Sequence, residues 1–117
     1  MYTISKEFTF SASHALKGLP AEHPCTRMHG HNYIIKVELK NVTTNHIGFV
    51  VDYRELAIIK QWIDAELDHQ NLNEVLPFNP TAENIAEYLY GVFKKVLWAV
   101  SAVEVSETEK TNARYEP

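Results

Sequence analysis

The chain is short of several things that would point to particular classes of protein. One cysteine, Cys25, among 117 residues permits no intrachain disulfide, which fits a reducing compartment. The four glycines, Gly18, Gly30, Gly48 and Gly91, never fall into G-x-G-x-x-G or P-loop spacing, so no nucleotide-phosphate cradle is expected. No serine sits in a nucleophile elbow. Five prolines are scattered without a Pro/Gly/Ser-rich linker, and there is no internal repeat. Long apolar runs are missing too: residues 85–103 are interrupted by Glu87, Lys94 and Lys95 and cannot span a bilayer unaided. Residues 1–10 lack the basic-then-apolar pattern of a signal peptide. Cations are outnumbered, 11 Lys and Arg against 15 Asp and Glu, which argues against non-specific DNA binding. The expectation is a cytoplasmic protein with one domain over residues 1–117. A chain of this length buries roughly 60–70% of its unfolded surface and folds without staples.

What is present is patterned. Tyr2, Ile4, Phe8 and Phe10 alternate with polar residues, a strand with one buried face that only Lys6 interrupts. Residues 11–28 have no clear period and read as a long functional loop, with His14 just past the strand. From His31 the alternation resumes with Tyr33, Ile35, Val37 and Leu39, and residues 49–51 read as a short extended piece. Asp52 and Glu55 form a capping-box pattern before Leu56, Ile59, Ile63 and Leu67, a helix running to about Asp68. Residues 70–80 read as loop. Thr81 caps a second helix with Ile85, Leu89, Val92 and Val96 as its buried stripe. Val103, Val105 and Glu107 share one face of a third strand, and residues 111–115 make a fourth. The order β-β-α-α-β-β predicts an α+β fold, one antiparallel sheet with both helices on one face. Trp62 and Trp98 are expected to pack within helices.

The six histidines are the unusual abundance. His29 and His31, two apart on a strand, project from the same face and continue the apolar face of Tyr33 to Leu39. Imidazoles at the end of a buried face need partners, and a metal ion supplies one. If the first two strands pair as a hairpin, His14 joins them, and three imidazoles with one open position match catalytic zinc. Gly30 between them leaves the opposite face bare. Cys25 reads either as a small buried hydrophobe, as a fourth ligand, or as a reactive thiolate able to serve as a base. Asp68 and His69 are neighbours that act together only if His69 turns off the helix end or if both face a third group. Glu107 offers a carboxylate suited to an amidine-like ring edge. Arg27, beside the histidines, is a candidate phosphate contact despite the net charge of −4, since a local patch suffices. His23 and His46 read as surface residues.

Five segments together resemble the family of 6-pyruvoyltetrahydropterin and 6-carboxytetrahydropterin synthases. They are Phe10-Ser-Ala-Ser-His14, Cys25-Thr-Arg-Met-His29-Gly-His31, Leu67-Asp-His69, Asn79-Pro-Thr-Ala-Glu-Asn84 and Val103-Glu-Val-Ser-Glu107-Thr108, in family order over nearly the whole chain. The resemblance implies a tunnelling fold, in which protomers join their sheets into a barrel, and hexamers of two trimers. It implies Zn²⁺ held by His14, His29 and His31. It makes Cys25 the general base of a set with Asp68 and His69 assembled across a subunit interface, and Glu107 the anchor of a pterin ring. The implied substrate is 7,8-dihydroneopterin triphosphate. The carboxy branch releases acetaldehyde and triphosphate and leads towards queuosine, whereas the pyruvoyl branch stops at elimination and tautomerisation. A pterin- or zinc-binding protein without turnover is the remaining alternative.

Overall fold

The computed structural model describes residues 1–117. Two strands of 13 residues, β1 (Tyr2–His14) and β2 (His29–Asn41), form one antiparallel hairpin in continuous register from Tyr2 opposite Asn41 to His14 opposite His29. At about 3.4 Å per residue this ladder is ~44 Å long. It accounts for the elongated shape, 56 × 25 × 24 Å. The first strand therefore runs four residues further than its apolar alternation suggests. Ala12 and His14 keep the even-numbered, core-facing parity of Phe8 and Phe10, so His14 is the last residue of β1 rather than a loop residue. Lys6, the break in the apolar side, lies 5.6 Å from the centroid of the Phe8 ring.

After a 3-10 turn at Pro24–Thr26 and the hairpin, residues 49–51 form no strand, with bends at 50 and 51, though Val51 is buried. The Asp52 side chain accepts from Arg54 N and that of Glu55 accepts from Asp52 N, the expected capping box. It launches a 3-10 turn, Tyr53–Leu56, that continues into α1 (Ala57–Glu66). Leu56, Ile59, Ile63 and Leu67 are all buried, as their spacing requires.

The segment read as loop, 70–80, is more ordered than that. It holds β3 (Gln70–Asn71) and a single turn, α2 (Leu72–Val75), capped by Asn71. Helix α3 (Ala82–Val96) is capped by Thr81, whose hydroxyl accepts from Asn84 N. Its buried stripe is Ala82, Ile85, Ala86, Leu89 and Phe93; Val92 is half-buried and Val96 exposed. The period of 3.6 carries the stripe from Leu89 to Phe93, and Val96 falls on the last turn beyond the core. Trp62 packs edge-on against Phe93 at 5.7 Å. Trp98 lies after the end of α3 and is exposed, so only one of the two tryptophans packs in a helix.

Strands β4 (Val100–Thr108) and β5 (Thr111–Tyr115) complete a sheet of order β3-β1-β2-β4-β5. The expected antiparallel sheet is present in the four main strands, and the two-residue β3 adds a parallel pairing beside Ala12 and Ser13. One core joins Phe8, Phe10, Tyr33, Ile35, Val37, Leu39, Val103 and Val105 of the sheet to residues of both helices, so the helices share one face. Each large side chain fully buried there contributes roughly 1.5–3 kcal/mol. The other face of β1 and β2 is polar, with Thr3, Ser5, Thr9, Ser11 and Asn32 exposed. No helix is long and apolar enough to cross a membrane.

Candidate metal centre and active site

The side-chain parity of three adjacent strands converges at one end of the core. His14 ends the buried face of β1, His31 and His29 begin that of β2, and Glu107 extends the Val103–Val105 face of β4. The ligand atoms of these four residues all lie within 4.8 Å of one another. The imidazoles meet edge to face, with centroids 4.6 to 5.0 Å apart.

Backbone carbonyls set the tautomers of two rings. His14 Nδ1 is 2.8 Å from Pro80 O, and His29 Nδ1 is 2.7 Å from Arg27 O. A carbonyl only accepts, so each Nδ1 carries the proton and each Nε2 presents a lone pair. The Tyr33 hydroxyl lies 3.1 Å from His14 Nδ1 as a second neighbour. Tyr33 is fully buried and stacks on Phe10, and burial pushes its phenol well above the ordinary range, so it stays neutral.

The Nε2 atoms of His14 and His31 are buried and have no hydrogen-bond partner. Glu107 Oε2 is nearby, at 3.4 Å from the first and 2.9 Å from the second. Burial opposes a charge on His14, but the Glu107 carboxylate and the Pro80 carbonyl outweigh it and raise its pKa. At His31 burial wins and the pKa is lowered, with the neighbouring imidazoles adding to the effect. Glu107 is held below the usual carboxylate range, chiefly by its contact with His14. The buried lone pair on His14 Nε2 faces this carboxylate, which is unfavourable unless a cation lies between them. Three imidazole nitrogens with a carboxylate oxygen fit a divalent transition metal such as zinc. A cation there satisfies both orphaned nitrogens.

Cys25 occupies the 3-10 turn that leads into β2 and is half-buried. His23, read from sequence as an ordinary surface residue, caps this turn: its Nδ1 accepts from Cys25 N at 3.1 Å. Arg27 is exposed and no salt bridge engages its guanidinium; its backbone carbonyl is what orients His29. His46 is exposed.

Asp68 and His69 face each other after all. His69 is the one non-glycine residue in the left-handed region, at φ +60°, and this turns its ring back so that Nδ1 lies 3.0 Å from Asp68 Oδ2. Left-handed backbone is costly for a residue with a Cβ, and such strain concentrates at functional sites. The other Asp68 oxygen accepts from Ser11 N at 3.0 Å, the main reason its carboxyl lies below its ordinary pKa. His69 is otherwise exposed, and within the chain Cys25 forms no hydrogen bond with either residue. The structure thus brings together the three histidines with Glu107, and Asp68 with His69, but not these groups with Cys25.

An open cleft of about 450 Å³ adjoins the histidine cluster. Thr9, Gly30, His31, Asn32, Glu107 and Thr108 line it. A second cleft, sharing Thr9 and Asn32 with the first, reaches Asp68. A Cβ on Gly30 would meet only Ala12 O at 3.6 Å, an ordinary contact, so this chain's own packing does not require glycine there. What Gly30 does is keep the cleft wall free of a side chain.

The sequence matches the family model described as 6-pyruvoyl tetrahydropterin synthase over residues 3–117. It is 35% identical to the 6-carboxy-5,6,7,8-tetrahydropterin synthase of Synechocystis, over 98% of this chain and 93% of that protein. It is 29% identical to the 6-pyruvoyl tetrahydrobiopterin synthase of Dictyostelium discoideum, over 96% and 93%. The structure superposes on that of Caenorhabditis elegans 6-pyruvoyl tetrahydropterin synthase with a TM-score of 0.87 and 28% identity, covering 99% of this chain and 95% of that one. The family match over residues 3–117, the 35% identity over nearly the whole chain and the shared architecture place the chain in the 6-pyruvoyl tetrahydropterin synthase family.

Proposed function

We propose that this protein is a zinc-dependent 6-carboxy-5,6,7,8-tetrahydropterin synthase acting on 7,8-dihydroneopterin triphosphate, with release of acetaldehyde and triphosphate. The observation that carries a metal-dependent reading is the pair of buried, unpartnered Nε2 atoms of His14 and His31. His14, His29 and His31 are the residues that hold the ion. Bound there, zinc supplies a Lewis acid that makes C–H bonds next to substrate oxygens easier to deprotonate.

The chain's own residues divide the remaining work. Cys25 Sγ takes a proton from the substrate side chain as general base. His69, with Nδ1 held by Asp68, has Nε2 free to exchange a proton with the substrate. Glu107 accepts from the pterin ring edge in the cleft it shares with Asn32 and Thr108; its Oε2 faces the imidazoles, and Oε1 has no partner in the chain. Arg27, exposed on the loop before His29, meets the triphosphate. Cys25 makes no hydrogen bond with Asp68 or His69 within one chain, which supports a site completed by a neighbouring protomer in a hexameric barrel. The single cysteine supports a cytoplasmic location, and the carboxy product belongs on the route to queuosine.

The pyruvoyl reaction is the second reading, favoured by the Dictyostelium likeness; the higher identity to the Synechocystis protein supports the carboxy branch. Incubating zinc-loaded protein with dihydroneopterin triphosphate and weighing the products separates them. Acetaldehyde with a 6-carboxy pterin is expected. A pyruvoyl pterin without acetaldehyde selects the second reading, and unaltered substrate rejects both.

A further inference from the structure

Beyond His14 the chain leaves the hairpin but remains tied on both edges. Asn73 Oδ1 accepts from Ala15 N at 2.8 Å, and Asn73 Nδ2 donates to Ala15 O at 2.8 Å. Two residues on, Asn79 repeats the arrangement with Lys17, at 3.0 Å to the N–H and 3.1 Å to the carbonyl. A carboxamide carries the same donor and acceptor as a peptide group, so each asparagine side chain takes the place of a strand partner. Between them Leu16 N donates to Cys25 O at 2.7 Å on the opposite edge. The tie is continuous with the pairing upstream. Asp68 and His69 hold both backbone groups of Ser11, and β3 pairs with Ala12 and Ser13. The segment 68–79 thereby extends the edge of β1 as a surrogate strand, partly of backbone and partly of side chains.

This arrangement runs between groups of the candidate site. The residue before the clamp is His14, and the residue after Asn79 is Pro80, whose carbonyl sets the His14 tautomer. The Asn79 carbonyl in turn accepts from Asn84 Nδ2 at 3.0 Å, which fixes this segment to the first turns of α3. The Leu16 bond leads directly to the turn carrying Cys25. We propose that Asn73 and Asn79 are positioning residues that, by clamping Ala15 and Lys17, set His14 for the metal and Cys25 for the substrate. The inference rests on the metal-dependent reading above and assigns to it two residues outside the ligand set.

The clamp predicts effects from the loss of either of its bonds. Asn73→Ala and Asn79→Ala remove both bonds, whereas Asn73→Asp and Asn79→Asp keep the acceptor and lose the donor. Chelator competition with Co²⁺ as probe, followed by its visible absorption, gives the metal affinity. Alkylation of Cys25 by iodoacetamide gives the exposure of the thiol, and amide exchange reports Ala15 and Lys17. The alanine variants are expected to bind Co²⁺ about 10-fold more weakly, as for other residues that orient ligands from behind. The aspartate variants keep the bond from the N–H but set a carboxylate oxygen against the Ala15 or Lys17 carbonyl, so they weaken binding at least as much, and Asn73→Ser and Asn79→Ser serve if an alanine variant does not fold. Ala15 and Lys17 amides lose protection and Cys25 alkylates at a different rate in the same variants. Arg114→Met, which removes the ion pairs to Glu38 and Glu116 and no bond of the clamp, should lower stability yet keep parental Co²⁺ affinity. Parental affinity, alkylation and exchange in all four asparagine variants would overturn the clamp. Failure of the parent to bind Co²⁺ overturns the metal reading, and amide exchange with Cys25 alkylation then still decides whether the asparagines hold the loop.

Discussion

At the scale of single residues, the proposed division between metal ligands and proton-transfer groups makes distinct demands. Cys25→Ala should abolish turnover with metal content near that of the parent, because Cys25 is absent from the cluster of His14, His29, His31 and Glu107. His29→Ala should lose most of the metal, measured by elemental analysis after dialysis; full retention would refute the three-histidine site. His69→Gly is expected to show opposite signs in two assays. Relieving the left-handed backbone should stabilise the fold by about 0.5–1 kcal/mol in urea unfolding, while turnover disappears. A drop in stability would mean that the exposed ring contributes more to folding than its strain costs. Much at this scale was readable beforehand. The i, i+2 spacing of His29 and His31 on an alternating strand already aimed both rings at the core face. His14 was harder to place because the pattern appeared to end at Phe10, although the even-numbered parity through Ala12 was there to extend it. The bonds of His23 and Asn73 left no such trace, and Asn79 was singled out only within a resembling segment, since each bond is made to a backbone atom on which no side-chain pattern reports.

Among the elements, the helices and the four long strands follow from periodicity and caps, because a buried face imprints itself on every second or every third and fourth residue. The exceptions are informative. Strand β3 and helix α2 are too short to carry a period, and they exist because β1 has an edge to satisfy. The register shift between Glu38 and Leu39 in the β2–β4 pairing is equally silent in sequence. Beside it, Glu38 is nearly buried and receives two bonds from Arg114 of β5, at 2.7 and 3.0 Å. The guanidinium holds the Glu38 carboxyl below its ordinary value. A depressed carboxylate stabilises the fold above its unfolded pKa, near 4.5, and that contribution fades as pH falls through the lower folded value. Arg114→Met should therefore cost about 1–3 kcal/mol at pH 7, and the gap to the parent should shrink in acid below pH ~4. A gap independent of pH would assign the loss to packing of the arginine stem instead.

For the molecule as a whole, the open question is how many chains build one site. If Cys25 of one protomer meets Asp68 and His69 of another, mixing the two inactive variants Cys25→Ala and His69→Ala through unfolding and refolding should restore activity. Random assembly leaves about a quarter of such interfacial sites intact. No recovery in mixed oligomers, or full activity in a species with the mass of one 13.4 kDa chain, would contradict the shared site. The continuous β1–β2 register has a further consequence, for the order in which the chain acquires structure. His14 and His29 close the shortest loop of the hairpin, while Tyr2 and Asn41 close the longest. Starting at the histidine end saves ~0.8 kcal/mol of closure entropy relative to starting at the other. That difference favours pairing that begins at His14 and His29 and spreads towards Tyr2 and Asn41, and pulsed amide exchange during refolding should then show earlier protection at the histidine end.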